Sequence, residues 1–93
     1  MSIWSIGPIS EQPSVSIVDW SIKETNNGRY FVGTELPHHS GRVSTQIIEY
    51  DAEKKIGRTV SGRIYQLLGE PGYSSNGEYV WGAYMKVNGL VEI

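Results

Sequence analysis

Two adjacent histidines, a serine and an arginine lie close together in the stretch GTELPHHSGRVSTQIIEYD, residues 33–51. Side chains of these types serve as proton carriers, nucleophiles and phosphate ligands in enzymes. Neighbouring side chains on an extended segment point to opposite faces, so His38 and His39 cannot readily bind one metal ion together. We therefore predict no metal site and no cofactor. We interpret the stretch as a turn between two strands, bracketed by Pro37 and Gly41.

Two catalytic interpretations of this stretch can be tested against its spacing. A nucleophilic Ser40 would need a histidine that reaches its hydroxyl from outside the local turn, but both histidines immediately precede it. Acid–base chemistry on RNA, with His38 or His39 as proton carrier and Arg42 or Arg63 on the phosphate, is the best enzymatic alternative. The acidic balance of the chain opposes binding of a polyanion. We predict no catalytic residue, and a small nuclease-like or nucleotide-handling enzyme remains the alternative.

Length and composition restrict the classes of protein to which the chain can belong. The chain has 93 residues and no cysteine, and its eight Lys and Arg against ten Asp and Glu give a net charge of -2. This length predicts one domain, residues 1–93, that is too small to enclose a large substrate cavity. The charges are scattered and form no basic patch, which argues against direct nucleic-acid binding. Neither a signal peptide nor a membrane helix is written in the sequence, so we expect a cytoplasmic protein without membrane contact.

Aromatic side chains are unusually frequent, with three Trp, six Tyr and one Phe. A small domain needs some of them for its core, and Trp, Tyr and Arg are also the residue types that anchor protein interfaces. We therefore predict a protein partner rather than a substrate. The residues that we assign to partner binding are His38, His39, Arg42, Arg63, Tyr65 and Tyr73.

The first two thirds of the chain alternate between apolar and polar residues as β-strands do. We predict strands in SIWSIG (residues 2–7) and in SVSIVDWSIKE (residues 14–24). In the second strand the apolar parity switches, which indicates a β-bulge or a strand that is buried on different faces along its length. The pair Asn27-Gly28 predicts a tight hairpin turn, after which RYFVGTEL forms the next strand.

Two further strands are predicted in RVSTQIIEYD (residues 42–51) and RTVSGRIYQLLGE (residues 58–70), the second with a bend at Gly62. These segments predict an antiparallel β-meander of four to five strands. The final LVEI is compatible with a terminal edge strand.

The last third of the chain favours one helix, which places the protein in the α+β class. Val80, Tyr84 and Val87 recur at helical spacing, and Gly89 stands where a helix C-cap belongs. Ser75 or Asn76 can serve as the N-cap. We expect this helix to pack across the sheet, with the nearby Trp81 in the core.

Four motifs together resemble a family of small proteobacterial and prophage-borne proteins. They are GRVS (residues 41–44), SGRIY (61–65), GEPG (69–72) and YVW (79–81), and the likeness covers roughly residues 29–89. The resemblance implies no catalytic role. Small cysteine-free proteins from mobile or toxin-associated loci are often stoichiometric inhibitors, which is an inference by association.

The function predicted from the sequence is therefore a non-enzymatic protein that occludes a protein partner. The partner would be a toxin, as for an immunity protein, or a component of a host defence system, as for a phage inhibitor. A homodimer, or a larger homo-oligomer built through a strand edge of the meander, is a further alternative.

Overall fold

A computed structural model describes residues 14–93, which form six β-strands and one α-helix. This confirms the α+β class and the C-terminal helix. The strand predicted in residues 2–7 lies outside the described residues. The elements are β1 Ser14–Thr25, β2 Gly28–Leu36, β3 Ser40–Val43, β4 Ile47–Asp51, β5 Ile56–Thr59, β6 Ile64–Leu67 and α1 Ser75–Asn88.

The strands form one mixed sheet in the order β3-β2-β1-β6-β5-β4. β1 pairs with β6 in parallel, with Ser14 beside Ile64, and the other neighbours are antiparallel. The prediction of a purely antiparallel meander of four to five strands was therefore only partly right. Two predicted strands divide in the structure. Residues 44–46 separate β3 from β4, and residues 60–63 turn the chain back so that β5 and β6 form a hairpin.

The sheet is rolled, since its two outermost strands, β3 and β4, are separated by only three residues of chain. The ring of Phe31 in β2 packs against the rings of Tyr50 and Tyr65, with centroid distances of 5.6 and 5.5 Å. Gly57 in β5 leaves room for this ring, because a Cβ at Gly57 would overlap it. β2 and β5 thus meet across the inside of the roll. The buried core there comprises Val15, Ile17, Trp20, Phe31, Ile47, Tyr65 and Leu67.

A β-bulge in β1 explains the parity switch that the sequence shows. The pairing of β1 with β2 shifts between Val18 and Ser21, and Asp19 has a φ of 50°. One extra residue in a strand moves the following side chains to the opposite face. Ile17 and Trp20, which are three residues apart, can therefore both enter the same core. The predicted bulge is confirmed.

The predicted hairpin between β1 and β2 is confirmed, but its turn lies one residue earlier than expected. Asn26 and Asn27 form the turn, and Gly28 is the first residue of β2, paired with Thr25. The Thr25 hydroxyl donates to the Gly28 carbonyl at 2.8 Å and accepts from the Asn27 N–H at 3.0 Å. Gly28 has a φ of 119°, a backbone conformation that residues other than glycine rarely adopt.

The helix packs on the outer face of β2, so this strand is buried on both sides. Phe31 points into the roll, whereas Tyr30 and Val32 point outward and contact the 2% exposed Trp81 of α1. This explains why Tyr30, Phe31 and Val32 form an uninterrupted apolar run instead of alternating with polar residues. The prediction that Trp81 belongs to the core is confirmed.

Ser74, rather than the predicted Ser75 or Asn76, caps the N-terminus of α1. Its hydroxyl accepts from the Gly77 N–H at 2.9 Å and forms a 2.6 Å hydrogen bond with the Thr34 hydroxyl of β2. Because Ser74 is 5% exposed, this link fixes the first turn of the helix to the sheet in a largely buried setting. The predicted C-cap at Gly89 is confirmed, with a left-handed φ of 64°.

Two glycines, Gly41 and Gly77, let the start of α1 lie directly on the backbones of β2 and β3. A Cβ at Gly77 would stand 2.8 Å from the Gly33 carbonyl oxygen. A Cβ at Gly41 would overlap the Asn76 carbonyl and stand 2.8 Å from the Gly77 nitrogen. Side chains at these positions would force the helix away from the sheet.

The face of α1 that meets the sheet differs from the predicted one. Trp81, Tyr84 and Met85 contact the sheet residues, whereas Val87 is 83% exposed. The predicted stripe of Val80, Tyr84 and Val87 was therefore wrong for Val87. Beyond the helix, the predicted terminal strand is reduced to a single bridge between Glu92 and Thr25.

Candidate functional site

The side chain of Arg42 is held in place at one end of the rolled sheet. Its Nε donates to the Tyr65 hydroxyl at 3.2 Å, and its Nη1 donates to Glu35 Oε1 at 3.3 Å. The guanidinium carbon also lies 5.8 Å from the centre of the Tyr65 ring, within range of a cation–π contact. Three contacts from two elements other than β3 thus fix a side chain that would otherwise sample many rotamers.

The surroundings of Arg42 favour its charged form. Partial burial disfavours the charge, but the hydrogen bond and electrostatic interaction with Tyr65, together with the Glu35 carboxylate, outweigh burial and raise the pKa of Arg42. The Arg42 side chain is 27% exposed. A permanent positive charge is therefore held at the edge of the core with part of its surface open to solvent.

The two histidines lie next to this arginine in the turn between β2 and β3, residues 37–39, which we call the histidine turn. This confirms the predicted loop between two strands. His38 Nδ1 lies 3.9 Å from Glu35 Oε2, too far for a hydrogen bond, and the His38 side chain is 77% exposed. His39 has a φ of 60°, and its N–H donates to the Glu35 carbonyl at 2.6 Å. We call Glu35, His38, Arg42 and Tyr65 the Arg42 cluster.

Arg63 approaches the same end of the sheet from another connection. Arg63 immediately precedes β6. The first residue of β6, Ile64, pairs with Ser14, and the last residue of β2, Leu36, pairs with Ser16. The histidine turn and the connection that carries Arg63 therefore both flank the beginning of β1. The structure brings together residues that are about 20 to 25 positions apart in the chain.

The two tyrosines assigned to partner binding occupy very different environments. Tyr65 is 2% exposed, and its ring lies in the core, so it supports Arg42 from behind instead of forming surface. Tyr73 is 71% exposed in the connection between β6 and α1. The neighbouring Gly72 donates its N–H to the Trp20 carbonyl at 2.9 Å, which places Tyr73 beside the bulge of β1. Tyr73 belongs to a separate part of the surface.

The sequence analysis did not identify the role of Glu35 beside Arg42. The signal that could have identified it is the register of β2 and β3. Glu35 pairs with Ser40 and Gly33 pairs with Arg42, so Glu35 and Arg42 lie on the same face of adjacent strands. Opposite charges in such diagonal positions are within reach of each other.

The outward side of α1 is a further exposed surface, which the sequence did not indicate. Tyr79 and Val87 on this side are 81% and 83% exposed. An open depression of about 430 Å³ lies there, lined by Glu78, Tyr79, Gly82, Ala83 and Lys86. We call these five residues together with Val87 the outer helix face.

Comparison of the chain with protein-family models, with curated proteins and with solved structures finds no match. Among residues 14–93, no helix is long and apolar enough to cross a membrane.

Proposed function

We propose that the protein is a small non-enzymatic binding protein that occludes a protein partner, with the histidine turn and Arg42 as the contact surface. A toxin or a component of a host defence system is the kind of partner that we propose, as for immunity proteins and phage inhibitors. The family resemblance described above supports this class by association. The observation that carries the proposal is the fixed geometry of Arg42.

A fixed arginine suits recognition because little conformational freedom remains to be lost on binding. Arg42 is oriented by Glu35 and Tyr65 before any partner arrives. Its remaining N–H groups can donate to a carboxylate or a backbone carbonyl of the partner. The exposed imidazoles of the histidine turn add hydrogen-bonding groups and flat contact area beside it.

Charge favours a partner that presents carboxylates. Arg42 and Arg63 lie at this end of the sheet with Glu35, and Arg58 with its partner Glu49 is next to them, so the charged residues that the structure describes here are more often positive than negative. The whole chain in contrast has a net charge of -2. A local positive surface on an acidic protein guides association with an acidic patch and disfavours other orientations.

The test is capture of a partner by the immobilised full chain, followed by variants of the surface. We expect a stoichiometric complex that is weakened about 10-fold or more by R42A and by the double change His38→Ala and His39→Ala. Arg29→Ala is the matched control, since Arg29 lies at the opposite end of β2, beside the first hairpin turn. Circular dichroism of each variant checks that the fold is retained.

Capture that is indifferent to Arg42 and to both histidines would contradict the proposed surface. Absence of any stoichiometric complex, together with turnover of RNA by the pure protein, would contradict the proposed function itself.

The second candidate function is acid–base chemistry on RNA, which the composition of the Arg42 cluster favours. An imidazole, a carboxylate, a guanidinium and a phenol follow one another in space through contacts of 3.9, 3.3 and 3.2 Å. Such groups could move a proton and neutralise a phosphate. An enzyme of this kind would lose its turnover in the double histidine variant while it kept its fold. An occluding protein would show no turnover in either form.

A further inference from the structure

Helix α1 is apolar on two opposite sides, although only one side packs on the sheet. Trp81, Tyr84 and Met85 are covered, while Tyr79 and Val87 on the other side are exposed by 81% and 83%. A helix at the surface of a soluble protein normally directs polar residues to solvent, and apolar residues on all sides indicate a buried helix. The outer helix face therefore exposes two large apolar side chains, Tyr79 and Val87, beside the charged Glu78 and Lys86.

The residues of the outer helix face are spaced symmetrically about one point on the helix. At 100° per residue, Tyr79 and Lys86 lie on its centre line, with Gly82 and Ala83 on either side between them. The midpoint of Tyr79 and Lys86 is also the midpoint of Gly82 and Ala83. In an antiparallel pair, a twofold axis at this point would place Tyr79 of one copy at the level of Lys86 of the other, with Gly82 beside Gly82 and Ala83 beside Ala83. Such self-complementarity is the requirement for a twofold interface.

We propose that the occupant of the outer helix face is a second copy of this chain, docked through an antiparallel pair of α1 helices. Glu78 lies in the first turn of the helix and Lys86 in the last. Antiparallel packing brings Lys86 of each copy to Glu78 of the other and sets the helix dipoles in opposite directions. Glu78 binds Lys23 through Oε2 at 2.7 Å, which leaves its second oxygen for this contact.

The small residues at the centre allow the two helices to approach closely. A Cβ at Gly82 would meet no atom within 4 Å, and Gly82 and Ala83 both line the open depression. The Tyr79 ring of each copy can lie in the depression of the other, with the Lys86 ammonium over its face. This pairing uses a helix, and it differs from association through a strand edge.

The size of the contact predicts a weak dimer. The helix has 14 residues, a length of about 21 Å at 1.5 Å per residue. One face of such a helix buries less than the roughly 800 Å² per partner that standard stable complexes bury. Interfaces of about 1,600 Å² have dissociation constants from µM to pM, so we expect a constant above about 1 µM for this smaller one.

Sedimentation equilibrium of the full chain between about 10 µM and 2 mM tests the dimer at the concentrations that this affinity requires. Gly82→Glu places two like charges at the centre of the interface, and we expect it to weaken the dimer about 100-fold. The change leaves the monomer intact because the position is open and helical. Ala52→Glu adds the same charge in the exposed turn after β4 and is expected to leave the dimer unchanged.

A charge-exchange pair distinguishes the antiparallel arrangement from others. Lys86→Glu and Glu78→Lys should each weaken self-association, and mixing the two variants should restore a dimer because both cross-contacts then join opposite charges.

A monomer at every concentration would overturn the proposal, as would a dimer that G82E does not weaken. The proposal would also be overturned if the protein is a monomer and the removal of residues 1–13 increases chemical nitration of Tyr79. That result would mean that residues 1–13, and not a second copy, cover the outer helix face.

Discussion

Replacing Trp81 by alanine is expected to remove about 3 to 5 kcal/mol from the free energy of unfolding. The Trp81 ring is 2% exposed and packs at 5.5 Å from the ring of Tyr30, so its removal leaves a cavity between α1 and β2. Small domains have only about 5 to 15 kcal/mol of stability in total. The variant should therefore lie close to unfolding at room temperature, with α1 detached first.

Urea denaturation monitored by far-ultraviolet circular dichroism measures this loss, and hydrogen exchange along α1 locates it. Trp81→Phe is the control, since it keeps most of the ring but removes the indole N–H, which donates to Glu92 Oε1 at 3.0 Å. It should cost about 1 kcal/mol for the hydrogen bond, plus a small packing loss. A W81A protein with an unchanged urea midpoint would mean that this ring does not hold the helix on the sheet.

Replacing Gly41 by alanine is expected to destabilise the protein, although the change adds only one methyl group. The new Cβ would overlap the Asn76 carbonyl, which belongs to the backbone of the first helical turn. That turn cannot shift freely because the Ser74 hydroxyl forms a 2.6 Å hydrogen bond with the Thr34 hydroxyl. We expect Gly41→Ala to destabilise the protein by about 1 to 3 kcal/mol.

The same substitution at another glycine provides a control of opposite sign. Gly82 lies in the middle of α1, and a methyl group there would have no atom within 4 Å, so Gly82→Ala adds helix propensity without a clash. It should stabilise the protein by about 0.5 to 1 kcal/mol. Thermal unfolding of both variants at low protein concentration compares them directly. Equal melting temperatures for G41A and the unsubstituted chain would contradict the tight contact between helix and sheet.

Local signals in the sequence predicted the local features of this fold. The parity switch in residues 14–24 indicated the bulge, the asparagine-rich turn indicated the first hairpin, and Gly89 indicated the end of the helix. Each of these depends on backbone conformations that a few adjacent residues determine. The prediction for the helix face failed at Val87, because apolar residues of α1 lie on two sides and periodicity alone could not distinguish the exposed Val87 from Tyr84, which packs on the sheet.

The pairing of β1 with β6 could not be predicted in the same way. The two strands are about 50 residues apart in the chain, and their parallel alignment leaves no pattern within either one. For a related reason, the sequence predicted only part of the candidate site. The histidine turn and Arg42 follow from local sequence, whereas burial of Tyr65 behind Arg42 depends on how the sheet rolls.

The parallel pairing of β1 and β6 also orders the events by which the chain can fold. The hairpins β1–β2 and β5–β6 join residues close in sequence and can form early, but Ser14 cannot meet Ile64 until the long chain between them has closed. On the ribosome, the core around Ile17 and Phe31 stays incomplete until β6 has emerged, and α1 follows still later. Cooperative folding of this domain therefore waits until β6 has been synthesised, and the non-local closure makes it slow for a domain of this size.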